Sequence, residues 1–215
     1  PDVLYAVALF PKATEIALTG LEPVGDLPDL TKLDDAALGA SLGELRRSLN
    51  AVLAFSFFRT NDMKAEFANN RFSGVTPIML LFLARHNASI ESVEPLVVES
   101  GGRVRLVPAA ALKGVIANRV SGVRIAFKLP GDPTPRKVTY FSADISDKGL
   151  QATPQYLEWM AGFAPRATFV KSASYLMHKS YFSQVRGFIL DRSALVVQDD
   201  SGVPLRFFGE SIWER

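Results

Sequence analysis

The chain has 215 residues, 48% hydrophobic and 21% charged, which is enough apolar material for a packed core and excludes a disordered segment. Its 24 basic and 22 acidic residues leave a net charge of +2, so no basic face for a phosphate backbone is expected and no nucleic-acid partner is predicted. Cysteine is absent, which excludes disulfides, thiolate catalysis and cysteine-ligated zinc.

Asp2 caps a predicted helix over Val3–Phe10, stopped by Pro11 and apolar nearly all round, hence expected to be buried. Thr14–Gly20 reads as a strand, and the Pro- and Gly-rich LEPVGDLPDL after it as a loop. Leu38, Leu42, Leu45, Leu49, Val52 and Leu53 recur at helical spacing and predict an amphipathic helix from about Asp34 to Ala54. Residues 56–75 are irregular, and Pro77–Arg85 is a second helix with proline in its first turn. That helix contains the apolar run Ile78–Ala84, far short of the roughly 18–20 residues of a membrane span. Pro95–Glu99 and Val104–Val107 flank Ser100-Gly101-Gly102 as a hairpin, and Val123–Leu129 and Lys137–Ala143 flank GDPTP as another with a longer loop.

The C-terminal third reads β-α-β-α-β-β. Strand VTYFSADIS leads to a helix over Pro154–Gly162, a strand at Thr168–Lys171 and a helix over Phe182–Leu190. Strand Ala194–Gln198 then turns through DDSG into a last strand, Val203–Phe208. Strands separated by single helices usually lie parallel in one sheet. One α/β domain over residues 1–215 is expected, and because the chain opens on Pro1 with no signal-peptide pattern, a segment ahead of it is expected too.

Few residues suggest chemistry. The two histidines, His86 and His178, show no His-x-His or His-x-x-x-His spacing, so no metal site is predicted from them. Adjacent Asp199 and Asp200 have two readings: a cation or acid–base site, with His178 nearby for metal-assisted hydrolysis, or the polar turn that DDSG between apolar runs favours. Ser172 and Ser174 follow Lys171, but in the order K-S-x-S and without a G-x-S-x-G elbow. Arg59, Asp62 and Lys64 read either as an anion site or as a solvated helix end.

The element order is similar to the class I methyltransferase, Rossmann-like fold. Val3–Phe10 corresponds to its first helix, Thr14–Thr19 to the next strand, and Glu22 to the acid that holds a ribose, while Asp144 ends a parallel strand facing the ligand crevice. The implied fold is a Rossmann-like three-layer sandwich with a mixed sheet and antiparallel strands at its C-terminal end. The implied cofactor is S-adenosylmethionine, with Glu22 and Asp144 lining its site. The opening strand and glycine loop of that fold are expected ahead of Pro1, and the two hairpins depart from its alternation. The stretches ALTGLEPVGDLPDL, FFRTNDMK, VKSASYLMH and VVQDDSGVPLRFF resemble a bacterial protein family without an assigned activity. This resemblance implies an exported chain in the cell envelope or periplasm and carries over no catalytic residue. The function expected first is therefore a non-catalytic bacterial binding or accessory domain, ahead of the transferase and the metal-assisted hydrolase.

Overall fold

The computed structural model describes residues 2–26, 32–54, 73–112, 118–163, 166–170, 177–198 and 203–207. It is a mixed α/β protein whose chain gathers into two compact units. The first is Pro1–Val97 with Arg105–Ala143, and the second is Val98–Val104 with Asp144–Arg215.

A mixed five-stranded sheet is the frame of the first unit. Its strands are β1 (Glu15–Gly20), β2 (Ser89–Glu99), β3 (Arg103–Leu106), β4 (Val120–Leu129) and β5 (Asp132–Ser142), in the order β1-β5-β4-β2-β3. β1 runs parallel to β5, with Ile16 opposite Val138 and Leu18 opposite Tyr140; β4 is antiparallel to β5, with Val123 opposite Tyr140 and Ile125 opposite Val138. Because side chains alternate across a strand, these residues share one face. Together with Phe127 they make a core with Ala6 of helix α1 (Asp2–Leu9) and with Met79 and Leu83 of helix α3 (Thr76–Arg85). On the other face Gly122 lies opposite Phe141. A Cβ there would come within 3.1 Å of the Phe141 ring and 2.6 Å of the Tyr140 carbonyl oxygen, so glycine lets both rows close up. On α1 Ala6 is buried and Leu9 is 46% exposed, so the last turn departs from the burial expected of the helix.

Local chemistry sets the element ends. Asp34 caps helix α2 (Asp35–Ala54), its Oδ1 accepting from the Ala37 N–H at 2.7 Å. α3 closes in a Schellman motif: Asn87 takes φ 55°, its N–H donates to the Ala84 carbonyl, and the Ala88 N–H donates to Leu83. The β4–β5 turn is tighter than the predicted GDPTP loop. Leu129 pairs with Asp132, so only Pro130 and Gly131 turn the chain, with Gly131 at φ 73° as a type II turn requires. The ladder then shifts register between Phe127 and Leu129. Pro133 and Pro135 on β5 cannot donate to it, and a bulge accommodates them.

The second unit holds the helices α4 (Asp147–Ala152), α5 (Gln155–Ala161) and α6 (Ser183–Arg192). It also holds a separate two-stranded parallel sheet of β6 (Ala167–Val170) and β7 (Leu195–Gln198), with Phe169 opposite Val197. This corrects the single sheet expected of the C-terminal third. The run VTYFSADIS ends its strand at Ser142, and Ser146 caps α4 by accepting from the Gly149 N–H. The last predicted strand is also corrected: Leu205–Phe207 is a 3-10 turn, so the antiparallel pair expected at the C-terminal end does not form there. In its place the Gln198 side-chain amide acts as a ladder partner for Val203, donating to its carbonyl at 2.8 Å and accepting from its N–H at 2.9 Å.

Candidate functional site

Glu22 is the sequence candidate with the most developed surroundings. β1 ends at Gly20, and two residues later the half-buried Glu22 turns its carboxylate back over that glycine. Tyr140, on the adjacent β5, is 4% exposed; its hydroxyl donates to the Glu22 main-chain carbonyl at 2.8 Å and lies 3.2 Å from Glu22 Oε2. Gly20 leaves room for this approach: a Cβ there would sit 2.3 Å from Oε2 and 2.9 Å from the Tyr140 hydroxyl, and the Glu22 carboxylate would have to move. Burial, followed by the adjacent Glu22 charge, pushes the Tyr140 phenol well above its ordinary range, so the hydroxyl stays protonated and remains a donor.

The segment beyond Glu22 is pinned to the start of α3. The N–H groups of Val75 and Thr76 donate to the Pro23 and Val24 carbonyls, Asp26 N–H donates to Ser73, and the Thr76 hydroxyl donates to Val24 at 2.6 Å. Gly25 at φ 84° and Gly74 at φ 79° cross backbone to backbone. A Cβ on Gly25 would lie 1.8 Å from the Ser73 carbonyl oxygen, and one on Gly74 would lie 2.4 Å from the Gly25 Cα. Gly25 and Gly74 thus let the chain after β1 pack backbone to backbone on the start of α3, beside the Glu22 carboxylate and the Tyr140 phenol. Chemically, the pair presents a carboxylate acceptor with one oxygen already engaged.

The other candidates stand elsewhere. Asp144 opens the second unit as an exposed turn residue, its Oδ1 accepting from the Ser146 N–H at 2.9 Å, with Gly149 packed on its main chain. His86 is exposed at the C-cap of α3, and His178 is exposed in the second unit. Asp199 and Asp200 lie outside the described residues, as do Arg59, Asp62, Lys64, Lys171, Ser172 and Ser174. Among the described residues no three His, Asp or Glu side chains gather as a metal site needs. No described helix is long and apolar enough to cross a membrane.

Three further polar residues with well-defined partners escaped the sequence reading. Arg136 is nearly buried in β5. It donates to the carbonyls of Pro11 and Ala13 at 2.8 and 2.7 Å and pairs with Asp132 at 2.7 Å, tying the α1–β1 connection to the hairpin. Asp132 also accepts from the Thr134 N–H, and these bonds, that of Arg136 first, hold its carboxyl well below the usual range. Asp147, in the first turn of α4, accepts from the Gln184 N–H at 2.9 Å and the Ser183 hydroxyl at 2.7 Å, which lowers its proton affinity as well. The available signal was a charged residue at an inward-facing strand position for Arg136, and Ser-Asp followed by Gly for Asp147. No family model, curated protein or solved structure matches the chain.

Proposed function

We propose that this chain is a non-catalytic binding or accessory domain. The observation that carries the reading is what its perturbed acids do. Among the described residues, Asp132, Asp147 and Tyr140 have their proton affinity moved by hydrogen bonds or burial, and each ties one part of the chain to another. Shifted groups at catalytic sites face an open cleft with a task to perform, whereas these serve as caps and ties. The resemblance of four stretches to a bacterial family without assigned activity supports a bacterial accessory role in the cell envelope. The test is a thermal-shift screen of the purified chain against nucleotides, S-adenosylmethionine, sugars, lipids and divalent metals. A ligand at a hundred times its dissociation constant adds about 2.7 kcal/mol, a shift of a few degrees. A shift accompanied by no turnover of that ligand is the expected outcome, and turnover would overturn the reading.

One observation favours a second reading, a Rossmann-like transferase using S-adenosylmethionine. β1 and β5 are parallel neighbours, and Glu22 stands two residues past the end of β1, where ligands of such sheets bind. Calorimetry with S-adenosylmethionine decides it. Binding that Glu22→Gln weakens tenfold or more on the usual scale of a lost charged hydrogen bond supports the transferase, and no binding removes it.

A further inference from the structure

We infer that the tip of the β2–β3 hairpin, Ser100–Gly102, is a docked latch that opens from α5 as a local event, ahead of the unfolding of the rest of the second unit. The tip belongs to that unit and lies on the middle of the helix. Its Gly101 N–H donates to Glu158 Oε2 at 2.9 Å. Gly102 rests on the helix main chain so closely that a Cβ would lie 2.5 Å from the Trp159 nitrogen and 2.7 Å from the Glu158 carbonyl carbon. Both glycines take left-handed φ, 77° and 70°.

The contact is close but is not held by apolar burial. Ser100 and Gly101 are exposed, neither glycine brings a side chain, and Gly101 bonds to an exposed carboxylate. The unit's buried apolar residues lie outside the tip, among them Val98 at the base of the hairpin, and Leu150, Tyr156, Trp159, Val185 and Val203. Buried apolar area sets most of the free energy of opening, so a segment anchored by backbone contact opens before one anchored by core side chains. Releasing the tip bares the α5 main chain at Glu158–Trp159. The helix keeps its own bonds, such as Glu158 N–H to Pro154 and Gly162 N–H to Trp159.

Hydrogen exchange of the full chain, read by mass spectrometry, tests this. In the unmodified protein, the amides of residues 100–102 are expected to exchange roughly ten-fold or more faster than 183–192 and 167–170, as a sub-global opening does. Glu158→Gln should speed 100–102 further. Gly102→Ala, which meets the helix backbone, should speed 100–102 and 155–161 more than Gly101→Ala, which keeps the φ strain but meets only open space. Equal exchange across the second unit, or uniform acceleration of it in Glu158→Gln, would overturn the latch. The measurement on the unmodified chain decides the matter even if Gly102→Ala fails to fold.

Discussion

At Tyr140 a single hydroxyl has two acceptors on one residue, and they do not carry equal weight. The bond to the Glu22 main-chain carbonyl is 0.4 Å shorter than the approach to Oε2, and it survives any change of the Glu22 side chain. Tyr140→Phe removes the partner of a part-buried carbonyl and should cost about 1–2 kcal/mol, whereas Glu22→Gln should cost well under ~1 kcal/mol. Urea denaturation of the two variants checks this, and equal losses would show that the carboxylate holds the phenol. Gly74→Ala should exceed both, because its φ is left-handed and its Cβ would enter the Gly25 backbone. Part of this was legible. Gly20, Glu22 and Gly25 were visible as a strand end and a loop, but Tyr140 lies 118 positions from Glu22, and only the parallel pairing of β1 with β5 brings them together. Arg136 was hidden for a related reason. Its place in step with Val138 and Tyr140 was the one hint, and only the fold supplies the Pro11 and Ala13 carbonyls that make its burial tolerable.

Among the elements, helix α6 begins without a cap of its own: its N-cap residue Phe182 offers no side-chain acceptor. Asp147 of α4 fills the position from another helix by taking the Gln184 N–H, and the Gln184 side-chain amide in turn donates to the Asp147 carbonyl. Asp147→Ala should therefore lower the melting temperature and loosen α6 selectively. Asp147→Asn keeps an acceptor and should lose less; an unchanged melting temperature in Asp147→Ala would mean that water replaces the cap at no cost. α1, β1, α2 and α3 were legible because their apolar runs are bounded by Asp, Pro or Gly, which cap or stop an element by their own chemistry. The first half of β2 was not, because Glu91, Glu94 and Pro95 break its alternation, and Glu91 is accommodated by pairing with Lys128 of β4. α4 was missed because six residues containing a glycine give too little periodicity to register. The final strand was wrongly expected because VPLRFF has strand composition. The Gln198 amide instead takes the Val203 backbone groups that a strand would have paired.

For the molecule as a whole, the perturbed groups predict how stability depends on pH. Asp132 and Asp147 have folded-state pKa values below their unfolded ones, so the stability they add is complete above the unfolded value of about 4. It is lost as pH falls from there through the folded values, because the unfolded chain takes up these protons first. Tyr140 works in the opposite direction. Its folded pKa is raised, so its contribution is complete below the ordinary phenol value of about 10 and is lost as pH rises beyond it. The expected profile is a plateau between about pH 5 and 9 with a fall on each side. The share of Tyr140 in the alkaline arm can be isolated. Above pH ~10 the unmodified chain should lose about 1.4 kcal/mol per pH unit relative to Tyr140→Phe, the slope of one proton released on unfolding. Urea titrations at half-unit steps from pH 8 to 11 read that difference directly. Parallel curves would mean that the phenol ionises as readily in the folded chain as outside it, and that its contact with Glu22 is open to water.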